Sequence, residues 1–411
     1  MKIWPEAIGI VKGDGVYLED ENGNRYIDAI SSWWVTLHGH AHPHIAAKVS
    51  KQLSTLEQCI FAGFTHEPAV QLAERLLPIL PGDMARIFYS DNGSTAVEVA
   101  IKMALQYWNN KGTPRKKIIS LENAYHGDTF GAMAVSGRSI FTHPFNGFLF
   151  DVSFIPFPDE ENAALSISTL SELVAAGDVA AFIVEPLLQG TAGMLTYTPD
   201  VLEQYFNICR EHGTLIIADE VLTGFGRTGP LFACNNVNAK PDMVCLSKGL
   251  TGGTMPMGVT ACTQDIFDAF YDDDKLKTLY HGHSYTANPL ACTAGLASLD
   301  LLLTDDCTNS RQMIHEQHQQ FAEKIKDNKS VLAVRCIGTI IAIELNTGTT
   351  TSYQNNKRDL IYRFFLERNV LMRPLGNIIY ILPPYCITAA QLQYIYTCIE
   401  ELFNTLTTWN N

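Results

Sequence analysis

Three stretches of this chain combine residue types and surroundings that suit covalent chemistry on an anionic cofactor. Lys248 follows the apolar run Met243-Val244-Cys245-Leu246 and leads into Gly249-Leu250-Thr251-Gly252-Gly253. A lysine placed after such a run and flanked by glycines is poised in a cleft rather than on a solvated face. Asp219 ends Leu215-Ile216-Ile217-Ala218, and a carboxylate at a buried strand end is costly unless it meets a cation or donors. Ser90-Asp91-Asn92-Gly93-Ser94-Thr95 follows Arg86-Ile87-Phe88-Tyr89 and opens a helical pattern. There Gly93 lets the backbone approach an anion, while hydroxyls and orphan amides meet it at the positive helix end. Taken singly, Ser94 or Thr95 reads equally well as a helix cap, and Asp219 and Lys248 as ordinary buried ions. The segment lacks GxGxxG and Walker spacing, which disfavours a dinucleotide or nucleoside triphosphate.

Together these residues outline a cofactor with a phosphate, a protonatable ring nitrogen and a carbonyl that traps an amine. Pyridoxal 5′-phosphate (PLP) has all three. Lys248 would form the Schiff base, and Asp219 would hold the pyridinium proton so that the ring acts as electron sink. A charge pair at about 4 Å with an effective dielectric near 20 contributes roughly 4 kcal/mol, about three pKa units, which suffices. Tyr125, in Asn123-Ala124-Tyr125-His126-Gly127-Asp128, could stack on one face of the ring, or else fill core from a loop. Val221 could close the other face.

The elements that must position these groups are short apolar runs alternating with amphipathic stretches. Arg86–Tyr89, Lys117–Ser120, Ala181–Val184, Leu215–Ala218 and Met243–Leu246 show little polar alternation, which suits strands buried on both faces. Helical patterns such as Thr95–Trp108 and Pro199–His212 lie between them. The fold class expected is α/β, a mainly parallel sheet covered by helices, with ligands bound at the carboxyl ends of the strands. Residues 10–30 read as a hairpin with Asn-Gly turn chemistry. A long helix near 311–327, a strand pair near 332–345 and helices near 357–368 and 388–406 suggest a smaller α+β domain. We expect a large domain over 45–297 and a small one built from 1–44 and 298–411.

The 411 residues carry a net charge of −14, which argues against a nucleic-acid footprint or a polybasic membrane patch. With 46% hydrophobic and 18% charged residues, general disorder is excluded. The ten cysteines form no CxxC pair and the twelve histidines no HExxH, so no metal site is expected. No apolar stretch spans a bilayer and the start lacks a signal-peptide core, so the cytoplasm is the expected location.

The ordered set Gly93-Ser94, Tyr125-His126-Gly127, Glu185-Pro186, Asp219-Glu220-Val221, Gly224-Phe225-Gly226-Arg227-Thr228-Gly229, Lys248-Gly249 and Asn288-Pro289-Leu290-Ala291 resembles the class III aminotransferases. These are fold-type I PLP enzymes, and the likeness covers nearly the whole chain. The resemblance implies small-molecule substrates and a homodimer with shared active sites, in which Ser284 reaches the cofactor phosphate of the neighbouring subunit. It also implies a ping-pong cycle in which Lys248 is displaced by the donor amine and then shuttles a proton. Ser31-Ser32-Trp33-Trp34, His38-Gly39-His40, His42-Pro43, Ala100–Trp108, Thr251–Met255 and Met372–Tyr380 resemble the branch of that family serving biotin synthesis. That branch converts 8-amino-7-oxononanoate to 7,8-diaminononanoate, with S-adenosylmethionine as amino donor.

The substrate residues so implied are Trp33, Trp34, Gly282, Arg373 and Tyr380. A planar guanidinium at Arg373 suits a two-point fork on the acceptor's carboxylate, and the following Pro374 holds it extended. Otherwise Arg373 is a surface ion pair and the tryptophans are core aromatics. On a strand, adjacent tryptophans would point to opposite faces. Glu185 and Arg227 are expected in supporting ion pairs. Two departures leave a roomier pocket: Ile3-Trp4 runs into Pro5-Glu6 without the branch's His-Pro-aromatic-Thr segment, and Leu375 replaces a common aromatic. A lysine or simple amine therefore stays open as donor. The alternatives are an ω-amine or ω-amino-acid transaminase using pyruvate or 2-oxoglutarate, a PLP aminomutase, and a catalytically silent binding protein.

Overall fold

The computed structural model describes residues 7–349 and 351–409, so the Ile3-Trp4-Pro5-Glu6 stretch lies outside the described residues. The chain divides into two compact units. One comprises Val49–Phe225 and Pro230–Leu296, the other Met1–Lys48, Gly226–Gly229 and Ala297–Asn411. No described helix is long and apolar enough to cross a membrane.

The Val49–Phe225/Pro230–Leu296 unit is built on a seven-stranded sheet. Its order is Met84–Ser90, Gly258–Thr263, Met243–Leu246, Leu215–Asp219, Val179–Val184, Lys117–Leu121 and Ser153–Ile155. Every residue of Val179–Val184, Leu215–Asp219 and Met243–Leu246 is buried, as apolar runs covered on both faces must be. These three pair in parallel, with Ile217 opposite Ile183 and Asp219 opposite Cys245. The sheet is not wholly parallel. Gly258–Thr263 runs antiparallel to both Met243–Leu246 and Met84–Ser90. The five expected runs all point one way, so their carboxyl ends open on a single edge.

The helix Gly93–Asn110 explains why that antiparallel strand is built from small residues. It buries Ala96, Val97, Val99, Ala100, Ile101, Met103, Ala104 and Tyr107, a wide apolar stripe at helical spacing. Thr260 Oγ1 donates to the Ala96 carbonyl at 2.7 Å, and Cys245 Sγ donates to the same oxygen at 3.6 Å. Larger side chains at Thr260 or Cys245 would lift the helix off the sheet. Its start is fixed by a capping box: Asn92 Oδ1 accepts from Thr95 N at 3.0 Å, and Thr95 Oγ1 accepts from Asn92 N at 3.1 Å.

In the second unit Ile10–Asp14, Tyr17–Asp20 and Arg25–Asp28 form an antiparallel meander, and Val370–Leu371 adds in parallel beside Arg25–Asp28. A three-stranded antiparallel sheet joins Val331–Ile337, Ile340–Leu345 and Ile378–Ile381. The helices Asp305–Ile325 and Ala389–Trp409 meet through Phe321 and Tyr396, stacked with centroids 4.1 Å apart.

A Cβ at Gly258 would meet Ser90 Oγ at 2.5 Å and press into the Asn92 carbonyl, at the cap of Gly93–Asn110. Gly258→Ala is expected to destabilise the protein by about 1–3 kcal/mol. Urea unfolding checks this, with Gly147→Ala, whose Cβ meets nothing within 4 Å, leaving the midpoint unchanged.

Candidate active site

The strand ends assemble one cluster on the sheet edge. Asp219 closes its strand buried, with Oδ1 accepting from Val221 N at 3.1 Å and Oδ2 accepting from His126 Nδ1 at 2.7 Å. Lys248 follows the neighbouring strand with a left-handed φ of 34°. The Tyr125-His126-Gly127-Asp128 loop follows Lys117–Leu121. Glu185 follows Val179–Val184, accepting from Tyr125 N at 2.9 Å and Gly190 N at 3.2 Å. Ser94 Oγ accepts from Asp128 N at 3.1 Å, which seats this loop on the helix start. Gly127, at φ 134°, has no room for a Cβ against Ser94.

The electrostatics suit a reactive amine. Burial lowers the pKa of Lys248, and attraction from Asp219 and Glu185 opposes it in part. Glu185 is pushed up to about 7 by burial, against the favourable pull of His126. Burial raises the Tyr125 phenol, and its hydrogen bond to Asp128 adds to the rise. The centre therefore holds an amine whose charged form burial disfavours, beside a carboxyl that is partly protonated around pH 7.

PLP fits this cluster. A Cβ at Gly93 would meet Val221 Cγ1 at 2.8 Å, so a glycine keeps the helix start open there. The Gly93 and Ser94 amides find no acceptor among the described residues and could serve a phosphate. Asp219 could face the ring nitrogen, Tyr125 and Val221 its faces, and Lys248 its carbonyl carbon. Neither Ser94 nor Thr95 is the N-cap; that place belongs to Asn92, with Thr95 completing the box.

A second cluster lies within the other unit. Ser31–Trp34 is an irregular turn, not a strand, with φ of 52°, 59° and 68° at Ser31, Ser32 and Trp34. Three such residues store on the order of 1–3 kcal/mol each, a strain that surrounding bonds must hold. The turn sends the tryptophans to different environments. Trp34 is 5% exposed and donates through Nε1 to Tyr380 OH at 2.9 Å, whereas Trp33 is 62% exposed. The Arg373 guanidinium lies over the Trp33 ring at 4.4 Å, and among the described residues it makes no ion pair. A guanidinium over an indole face, with no ion pair among the described residues, can take a carboxylate by two parallel hydrogen bonds.

Other expectations fare differently. Arg227 is fully buried, and it donates to the carbonyls of Pro383 at 2.8 Å and Thr36 at 3.2 Å, with no ion pair among the described residues. Glu185 likewise serves backbone amides. The cause is position: both side chains sit where irregular backbone leaves donors or acceptors to be satisfied. Gly282 and Ser284 lie in an exposed loop, where Gln58 Nε2 donates to the Ser284 carbonyl at 2.6 Å. The residue that sequence reasoning passed over is His126. Its signal was present, a histidine beside a candidate stacking tyrosine at a strand end, with a buried carboxylate elsewhere in need of a donor.

Glu185 makes a pH prediction. Its carboxyl keeps a proton in the folded protein at pH values where the unfolded chain has released it. The associated stability is present below the unfolded pKa of 4.5 and is lost as pH rises through about 7. Urea unfolding of the apoprotein against Glu185→Gln from pH 5 to 8 should show the wild type losing on the order of 3 kcal/mol relative to the variant.

Comparison with known proteins agrees with this geometry. The aminotransferase class-III family model matches residues 4–403. The chain is 47% identical to the adenosylmethionine-8-amino-7-oxononanoate aminotransferase of Synechococcus elongatus, over 97% of this chain and 96% of that protein. It is 39% identical to the protein of the same name from Geobacter sulfurreducens, over 99% and 94%. The crystal structure of the enzyme of that name from Methanocaldococcus jannaschii superposes with a TM-score of 0.92 at 35% identity, covering 97% of this chain and 93% of that one. An amine transaminase from an uncultivated Pseudomonas species, in its PLP-bound form, gives 0.90 at 31%, covering 98% and 95%. A full-length family match, relatives well above 30% identity and a lysine–aspartate centre on the strand edge converge on one conclusion: the chain belongs to the class-III aminotransferases and is a PLP-dependent transaminase of fold-type I.

Proposed function

We propose that this transaminase serves biotin synthesis, moving an amine from S-adenosylmethionine to 8-amino-7-oxononanoate to give 7,8-diaminononanoate. The observation that carries the reading is Arg373 lying on exposed Trp33 with Trp34 and Tyr380 alongside, a site for a carboxylate at the end of an apolar chain. The names of relatives matching nearly the whole chain support the same substrate pair.

When bound, PLP supplies a carbonyl that links amines and a ring that accepts an electron pair. The protein's residues do the rest. Lys248 Nζ, its proton affinity lowered by burial, anchors the cofactor and then carries a proton to and from the substrate's amine-bearing carbon. Asp219, oriented by His126 and the Val221 amide, holds a proton at the pyridine nitrogen. The Gly93 and Ser94 amides and the Ser94 hydroxyl would bind the phosphate, and Tyr125 and Val221 would flank the ring. Arg373 fixes the acceptor's carboxylate.

We further read the protein as a cytoplasmic homodimer. Ile60, Phe64, Tyr280 and Tyr285 are all exposed, and Gln58 and Asn288 bind the segments carrying them to one another. A second subunit covering this face would receive Ser284 as a phosphate ligand and Gly282 at the substrate site. The free cysteines suit a reducing compartment.

The test of the donor is to mix yellow holoenzyme with S-adenosylmethionine alone. Loss of the yellow absorbance is expected, and an unchanged spectrum removes this donor and favours an ω-amine transaminase, a reading that the Pseudomonas amine transaminase neighbour keeps in view. Lys248→Ala is expected to lose covalently held cofactor and several orders of magnitude in turnover. Arg373→Met should raise the acceptor's KM about 10–100-fold, the worth of charge-assisted hydrogen bonds, with the donor half-reaction little changed.

A further inference from the structure

Asp28 has a role in this site that its place in the sequence does not announce. Its side chain is completely buried at the end of the strand Arg25–Asp28. In the parallel pair with Val370–Leu371 it lies opposite Leu371, two residues before Arg373. Oδ1 accepts from Ile30 N at 3.1 Å. Oδ2 accepts from Ser32 N at 2.6 Å, from Ser32 Oγ at 3.3 Å and from His40 Nε2 at 2.9 Å. One carboxylate thus gathers the donors of the strained turn that carries Trp33 and Trp34. Positive φ at Ser31, Ser32 and Trp34 is not a conformation these residues adopt unaided.

His40 is held from its other side. Its backbone pairs with Gly15, donating to the Gly15 carbonyl at 2.7 Å and accepting from Gly15 N at 3.2 Å. Gly13 leaves it room, since a Cβ there would stand 2.5 Å from His40 Cβ. Other bonds tie the same backbone down without Asp28. Ala29 N donates to Leu371 O at 3.1 Å, Leu382 N to Ala29 O at 2.8 Å, and Ser31 Oγ to Leu382 O at 2.8 Å. Asp28 is therefore not the only anchor of the segment. What Asp28 adds is a hold on the Ile30 and Ser32 amides, on either side of Ser31, and through them on the place of Trp33 under Arg373.

We infer that Asp28, supported by His40, is a positioning residue for acceptor recognition: it holds Trp33 as the platform that aims Arg373 at the acceptor's carboxylate. The inference rests on the assignment of Arg373 to that carboxylate. It calls for a carboxylate and not its isostere, because an asparagine would turn an NH2 toward the Ile30 or the Ser32 amide, donor against donor.

The experiment compares kcat/KM of the holoenzyme for the acceptor acid and for its methyl ester. Wild type is expected to prefer the acid. Asp28→Asn should reduce that preference about tenfold, through the acceptor's KM, with the donor half-reaction rate preserved. Arg373→Met should abolish it, and the double variant should be no worse than Arg373→Met alone. Multiplying effects in the double variant, or an unchanged acid-to-ester ratio in Asp28→Asn, overturns the positioning role while leaving Arg373 as the carboxylate site. A ratio unchanged in Arg373→Met overturns the underlying reading and this inference with it. If Asp28→Asn does not fold, His40→Gln withdraws one donor and leaves Asp28 in place. It should then show a smaller fall of the same sign, and no fall overturns the proposal.

Discussion

The 2.7 Å hydrogen bond from His126 Nδ1 to Asp219 Oδ2 is the contact on which the Lys248 centre depends. A buried carboxylate must be surrounded by donors, and the direction of those donors decides where its remaining lone pairs point. His126 takes one oxygen and the Val221 amide the other, so Asp219 has little freedom to rotate. His126 is itself fixed, its amide donating to Ser136 Oγ at 2.8 Å. The carboxylate, the histidine and the Tyr125 loop therefore move as one body. Glu185 extends that body by accepting the Tyr125 amide, so Tyr125 and the electrostatics around Lys248 share one set of bonds.

The cluster around Trp33 and Arg373 follows a different logic. It contains few charges, and its precision comes from strained backbone held by buried hydrogen bonds. Arg373 lies over the Trp33 face and pairs with no anion among the described residues, which leaves its fork available. An ion pair there would have occupied the hydrogen bonds of that fork.

How much of this was legible beforehand can be argued from particular residues. The strands Val179–Val184, Leu215–Asp219 and Met243–Leu246 were visible because a strand buried on both faces must be apolar throughout. Lys248 and Asp219 stood out because charge directly after such a run needs a reason. Gly258–Thr263 escaped notice because its small residues answer to a helix lying above it, a tertiary demand with no local pattern. The Ser31–Trp34 turn escaped for a related reason. Without Gly or Asn at those positions, nothing local announces left-handed backbone, and the device that enforces it includes His40, beyond the turn. The His126–Asp219 bond joins residues 93 apart in sequence, so its partners were each visible but their pairing was not.

The small residues beneath Gly93–Asn110 have one more consequence. Because Thr260 and Cys245 both hydrogen-bond the Ala96 carbonyl in the helix's first turns, they act as a shim that sets the height of the helix mouth above the sheet. Lys248 and Asp219 are anchored in the sheet, whereas the Gly93 and Ser94 amides ride on the helix. A change of one methyl group in the shim would thus alter the span between those two amides and the Lys248–Asp219 pair.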